Sequence, residues 1–185
     1  FHFNTWTWIG FGYAIIGLSA GTAEGVPSML MFMVLYMVDV TGFFACLAAL
    51  KRQGRDMETF DDVAGLFKEQ PGIALAITAF SLSAIGLPPF SGFWGKFYVF
   101  KAALNAGLPV AAALGLLGSV VAAFYFLGLI KVMWFDASTG QTDTPPLEAK
   151  LIGVGLALFT FPLVMLALHY LDAASLRAAH AFGLA

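Results

Sequence analysis

The chain has 185 residues, of which 60% are hydrophobic and 11% charged, with a formal net charge of −2. Ordinary soluble domains carry about a quarter charged residues, so this composition excludes that class and calls for a protein solvated by lipid. A near-zero charge gives no footprint for nucleic acid, and the single cysteine, Cys46, excludes an internal disulfide.

In chain order, the first helix is expected over about 6–20, with Trp6, Trp8 and Tyr13 as interfacial aromatics. Phe1 is not a start methionine and no basic segment precedes the apolar stretch, so no signal peptide is expected and the sequence reads as a piece of a longer chain. Gly21 to Gly25 is a short turn. The second helix is predicted over 26–50, starting at a tolerated first-turn proline, Pro27, and stopping at Lys51-Arg52-Gln53-Gly54-Arg55.

Between 51 and 70 lies a linker. Within it the apolar residues at 57, 60, 63, 64 and 67, with acids between, predict a short amphipathic surface helix over about 57–67. The third span, 71–105, is apolar but interrupted at 86–92 by Gly86, Pro88, Pro89 and Gly92. Proline lacks the N–H of the helix ladder and clashes with the preceding turn, so two half-helices are expected. The fourth helix, 110–134, offers Gly115, Gly118, Ala122 and Ala123 for close packing. A polar loop over 136–146 and a fifth helix over 148–170 follow, and 172–185 reads as a short tail.

The basic residues set the orientation. Lys51, Arg52, Arg55 and Lys68 lie in the loop after the second helix, and Lys131 and Lys150 flank the loop after the fourth. The turns at 21–25 and 105–109 hold neither lysine nor arginine, so both basic loops are expected on the cytoplasmic side. The fold class is thus an all-α polytopic membrane protein with five transmembrane helices, the third discontinuous, forming one transmembrane domain over 1–185.

Charges at membrane depth are the candidate functional residues, because an ionisable group there is costly unless it serves a path or a partner. Lys96 falls about one turn into the second half-helix, where desolvation and the N-terminal macrodipole both oppose its charge, so it can lose and regain a proton. The competing reading is a snorkelling lysine whose ammonium reaches the interface, and that reading is preferred for Lys101. Asp39, in the middle of the second helix, is either a relay, the partner of a cation, or a carboxylate satisfied by water or backbone near Gly42. Lys131 is either an interfacial marker or a candidate relay at the exit of a path. Glu24 is expected to be solvated and His169 interfacial. No metal-ligand spacing, phosphate loop or nucleophile set is present, so no metal or cofactor site is expected.

The run Ser81-Leu82-Ser83-Ala84-Ile85-Gly86-Leu87-Pro88-Pro89-Phe90-Ser91-Gly92-Phe93-Trp94-Gly95-Lys96-Phe97-Tyr98 resembles the SLxGxPPxxGFxGKFY signature of the antiporter-like membrane subunits of respiratory complex I, the NADH-quinone oxidoreductase. Gly12-Tyr13, Gly21-Thr22-Ala23-Glu24-Gly25, Phe124-Tyr125-Phe126-Leu127 and Lys131-Val132-Met133-Trp134-Phe135 support it. The resemblance implies the C-terminal part of a fourteen-helix subunit. It implies Lys96 as a member of a hydrophilic axis along the membrane arm, and a proton-translocating role coupled to NADH oxidation and quinone reduction elsewhere. FMN, iron–sulfur clusters and quinone would then belong to other subunits. Its partners would be the other membrane-arm subunits and the lipid bilayer, with no nucleic acid, in a bacterial inner membrane rather than a mitochondrial one. Two positions depart from the pattern: the usual histidine before Tyr13 is missing, and Asp39 stands where an uncharged residue is more common. A subunit of a multi-subunit cation/proton antiporter shares the broken helix and its lysine and is the alternative.

Overall fold

A computed structural model describes residues 3–57, 59–138, 140–181 and 183, with side chains from Gly10 onward. Its elements are α1 (Phe3–Ser19), α2 (Gly25–Ala48), a hairpin of β1 (Lys51–Arg52) and β2 (Arg55–Asp56), a 3-10 turn (Asp61–Val63), α3 (Leu66–Glu69), α4 (Pro71–Ile85), α5 (Ser91–Asn105), α6 (Pro109–Phe135), α7 (Leu147–Leu158) and α8 (Val164–Ala181). The interfacial roles expected of Trp6 and Trp8 lie outside the described side chains, and the one expected of Tyr13 is corrected: it is 3% exposed and packs inside the bundle against Phe32 and Val99.

Prolines punctuate these elements as their chemistry requires. Pro71 and Pro109 open α4 and α6 at first-turn positions, where a missing N–H leaves no ladder bond unmade. Pro88 and Pro89 fall between α4 and α5, where no ladder exists. Each half-helix has 15 residues. Fifteen residues rise about 22 Å, so neither half crosses a hydrocarbon core of about 30 Å, whereas the two stacked halves do. Among the described residues, α2, α6 and the run Leu147–Ala181 are each long and apolar enough to cross a membrane by themselves.

Helix α2 is central and touches α1, α4, α5, α7 and α8. Its buried face meets α4 and α6 in a core built around Phe43, Phe80, Phe126, Leu129 and Met133. A Cβ on Gly42 would run into the Phe80 ring, so that glycine serves close packing of α2 on α4. The small residues of α6 act likewise: Gly115 lies under Phe100 and Ile16. Large apolar residues of α6 such as Leu117, Val121 and Phe124 are exposed, as suits a surface facing lipid or further membrane helices.

Two further expectations need correction. The linker forms no continuous amphipathic helix over 57–67. Ala64 is extended (φ −58°, ψ 131°) and Gly65 is left-handed (φ 69°), which splits the segment into the 3-10 turn and α3. Its apolar residues Met57, Val63 and Leu66 are buried against α4 and α6 instead of lying on a membrane surface. The final span neither stops at 170 nor runs unbroken. Helix persists to Ala181, and between α7 and α8 the segment Phe159–Leu163 is interrupted, with Pro162 inside it and Phe161 extended (φ −161°, ψ 129°).

The two basic loops meet at one end of the bundle. Arg52 bridges to Thr142, the Asp143 amide donates to the Lys51 carbonyl at 2.9 Å, and the Gly54 amide donates to Asp143 Oδ2 at 2.8 Å. At the opposite end Asn105 Nδ2 donates to Glu24 Oε2 at 2.9 Å, joining the two turns free of lysine and arginine. This pairing is the one that alternating spans demand.

Candidate functional site

The break between α4 and α5 is built by Gly86. At φ 92° it closes α4 in a left-handed turn, with the Leu87 amide donating to the Leu82 carbonyl (3.2 Å) and the Gly86 amide to the Ser83 carbonyl (2.9 Å). These bonds satisfy two of the carbonyls that a helix end leaves unpaired and leave those of Ala84 and Ile85 without backbone donors.

Lys96 supplies the donors. A helical side chain leans toward its own N-terminus, so the lysine reaches back from α5 across the break. Its Nζ donates to Ala84 O at 2.7 Å, Ile85 O at 3.2 Å and Ser119 Oγ of α6 at 3.2 Å, which uses all three ammonium protons. Nζ also stands 4.8 Å from the centroid of the Tyr13 ring, within cation–π range. The residue is 7% exposed, which sets aside a snorkelling ammonium. The amine lies at the negative C-terminal end of α4, which stabilises a cation, and away from the N-terminal end of its own helix, so the macrodipole favours the charge that it is expected from the sequence to oppose.

Asp39 occupies the other side of the break. Its carboxylate, 3% exposed, accepts from Ser83 Oγ (2.6 Å), from Ser91 Oγ (2.8 Å to Oδ1, 3.0 Å to Oδ2) and from Thr160 Oγ1 (2.7 Å). Ser83 lies in the last turn of α4, Ser91 opens α5, and Thr160 belongs to the second interruption. The amide of Gly92, one of the unpaired donors of the α5 N-terminus, donates to Ser83 Oγ at 2.7 Å. Hydroxyls, not Gly42 or backbone groups, therefore satisfy this carboxylate. At this break α4 thus presents its negative end to a cation and α5 its positive end to an anion.

Lys96 and Asp39 lie within electrostatic reach of each other and line one cavity with Tyr13, Tyr36, Ser83 and Gly92. The cavity has room for about one water molecule. From Lys96 a hydroxyl chain continues through Ser119 Oγ to Tyr13 Oη at 2.7 Å, and Tyr13 Oη lies 3.0 Å from the Gly115 carbonyl. A second, wider groove runs from Lys96 along Phe97, Phe100 and Leu104 to Lys101 and Asn105, toward the end of the bundle away from the basic loops.

The structure brings Lys96 and Asp39 together and leaves Lys131 apart. The Lys131 side chain is 71% exposed and pairs loosely with Asp136 at 4.0 Å. It lies twelve residues beyond Ser119 on α6, about 18 Å along the axis. Nothing in the sequence singles out Ser83, Ser91, Ser119 and Thr160 from other hydroxyls in apolar helices. Pro162, two residues beyond Thr160, was the available sign that the last span is interrupted. Among the described residues no group of three or more His, Cys, Asp or Glu could hold a metal.

A family model described as NADH:quinone oxidoreductase/Mrp antiporter, TM, matches residues 9–122. The chain is 63% identical to NADH-quinone oxidoreductase subunit N of Caulobacter sp. (strain K31) over 93% of this chain and 36% of that protein, so it spans about a third of that relative's length. Among solved structures, a chain of respiratory complex I from Thermus thermophilus with bound NADH aligns with a TM-score of 0.68 and 28% identity, covering 91% of this chain and 37% of that one. A chain of the Mrp complex from Dietzia sp. DQ12-45-1b aligns with a TM-score of 0.78 at 22% identity, covering 92% of this chain and 40% of that one, a likeness of fold.

Proposed function

Because the chain belongs to the NADH:quinone oxidoreductase/Mrp antiporter transmembrane family, we propose that it is part of a proton-translocating membrane-arm subunit of a bacterial NADH:quinone oxidoreductase, in which Lys96 relays protons at the helix break. The single observation that carries this reading is the Lys96 amine, buried in the middle of a broken span and bonded to Ala84 O, Ile85 O and Ser119 Oγ. A buried ammonium needs such partners, and a discontinuous helix provides them where a continuous one cannot.

In this mechanism the α4 carbonyls and the Asp39 carboxylate stabilise the protonated amine. The Lys96–Ser119–Tyr13 chain and the cavity shared with Asp39 give the proton hydrogen-bonded neighbours on arrival and departure. Asp39 serves as the counter-charge of Lys96, and Lys131 sits with the basic loops as an interfacial residue. The 185 residues act as one transmembrane unit in the bacterial cell membrane. NADH oxidation and quinone reduction, with flavin and iron–sulfur clusters, take place in partner subunits. The family model spans both classes, and 63% identity to a subunit N over 93% of the chain, against 22% to a chain of an Mrp complex, supports this assembly over a cation/proton antiporter.

Purification of the native assembly tests the reading. Co-purification with flavin- and iron–sulfur-containing subunits is expected, and isolation with other membrane proteins alone would favour the antiporter.

A further inference from the structure

The last span contains an interruption that the relay described above does not use. Between Phe159 and Leu163 the helix opens, Phe161 is extended, and Pro162 has no N–H to offer the ladder. Thr160 lies inside it, 0% exposed. A threonine in a continuous helix commonly returns its hydroxyl to the carbonyl one turn back. Here the hydroxyl leaves its own helix and donates to Asp39 Oδ1 at 2.7 Å, across 121 residues of sequence.

The remaining hydroxyls on Asp39 come from Ser83 and Ser91, which belong to the two halves of the broken helix itself. They would follow any movement of those halves. Thr160 instead fixes the carboxylate to a separate span, and that span is seated against the first break by the Phe90 and Phe161 rings, 5.3 Å apart. Tyr13 of α1 and Tyr36 of α2 face the same cavity, Lys101 is the other charged residue of α5, and Asp172 of α8 faces Lys101 and Tyr98 instead of Asp39.

We propose that Thr160 is a positioning residue for Lys96 acting through Asp39: the second helix break holds the carboxylate where it is the fixed counter-charge of the amine at the first. The inference rests on the relay reading of Lys96. A hydroxyl is required at position 160, and its effect passes through a single carboxylate.

The test is proton uptake per NADH oxidised by the whole complex in proteoliposomes, compared at equal assembly for Thr160→Val, Thr160→Ala, Thr160→Ser, Asp39→Asn, the double variant Asp39→Asn/Thr160→Val, and Lys96→Met. The expected result is a fall of about twofold or more for T160V and T160A, restoration by T160S, and no further fall when T160V is added to D39N. Should T160V fail to assemble, T160A and T160S carry the same comparison. Wild-type ratios in T160V and T160A beside a depressed K96M would overturn this inference alone. A T160V effect additive to that of D39N would also overturn it, showing that Thr160 acts by packing. A wild-type ratio in K96M would overturn the relay reading and the inference with it.

Discussion

Lys96 Nζ, carried by α5, donates to the carbonyl oxygen of Ala84 in α4 at 2.7 Å. The two halves of the span are therefore joined by a side chain where a continuous helix would use its backbone. Lys96→Met would strand the Ala84 and Ile85 carbonyls in a buried site, at about 1–3 kcal/mol for each unsatisfied group. Thermal unfolding of the purified complex, followed at this subunit by limited proteolysis, should begin at lower temperature in K96M than in Lys96→Arg, which retains donors. Equal onset in the two variants would show that the capping bonds contribute nothing.

Gly86 is the second determinant of the break. Its φ of 92° is one that L side chains rarely adopt, and a Cβ there would meet Lys96 Cδ at 3.2 Å. Gly86→Ala is expected to destabilise by about 1–2 kcal/mol from backbone strain and to displace the lysine as well. Gly86→Asn should be better tolerated than Gly86→Ala by the backbone, since asparagine visits the left-handed region more readily. Yield of assembled complex for the two variants decides the point, and an alanine variant that assembles as well as wild type would refute the strain argument.

Asp39 separates charge from packing. Asp39→Asn preserves the shape and leaves an acceptor for the hydroxyls but removes the charge near Lys96; Asp39→Leu leaves the hydroxyls of Ser83, Ser91 and Thr160 without their acceptor. D39N should assemble and pump less, whereas D39L should lower the yield of assembled complex, at about 1–3 kcal/mol for each hydroxyl left unpaired, Ser83 Oγ and Ser91 Oγ being 2.9 Å apart and able to bond one another. Assembly on native gels together with proton uptake distinguishes them. Equal pumping by D39N and wild type would remove Asp39 from the mechanism.

The loop end supplies a pH dependence. Glu69 accepts from Thr142 N at 2.7 Å and from Ser138 Oγ, and Arg52 stands at 3.9 Å. Partial burial pushes its carboxyl up, but the bonds from Ser138 and Thr142 and the Arg52 charge outweigh this and hold it below the usual carboxylate value. A folded value below the unfolded one gives stability that is complete above the unfolded value and lost as pH falls through the folded one. Hydrogen exchange of the 136–146 segment, corrected for intrinsic rates, should therefore show protection at neutral pH that is lost only as pH falls below the usual carboxylate range. Glu69→Gln should lack the protection at neutral pH. Unchanged protection across that range would rule out Glu69 as the clamp.

Much of the fold was legible because its signals are local. Pro88 and Pro89 stop a helix wherever they fall, Lys51 and Arg52 stop a span, and the lysine-free turns fixed which loops share an end. Lys96 and Asp39 stood out because a charge within an apolar run has few innocent explanations. The partners of that pair were not legible, since Ser83, Ser91, Ser119 and Thr160 look like any hydroxyl in a membrane helix and meet only through tertiary packing. Thr160 was further concealed because Pro162 lies in a run apolar enough to read as one unbroken span. The 57–67 segment misled for the opposite reason: its helical spacing is real, but Gly65 and extended Ala64 bend it so that the apolar residues enter the core.

The most direct measurement compares proton uptake per NADH oxidised in wild-type and K96M complexes, reconstituted in proteoliposomes and matched for assembly. The ratio is expected to fall sharply in K96M while quinone reductase activity, measured with the gradient collapsed by an uncoupler, persists. An unchanged ratio in fully assembled K96M would contradict the relay reading of Lys96.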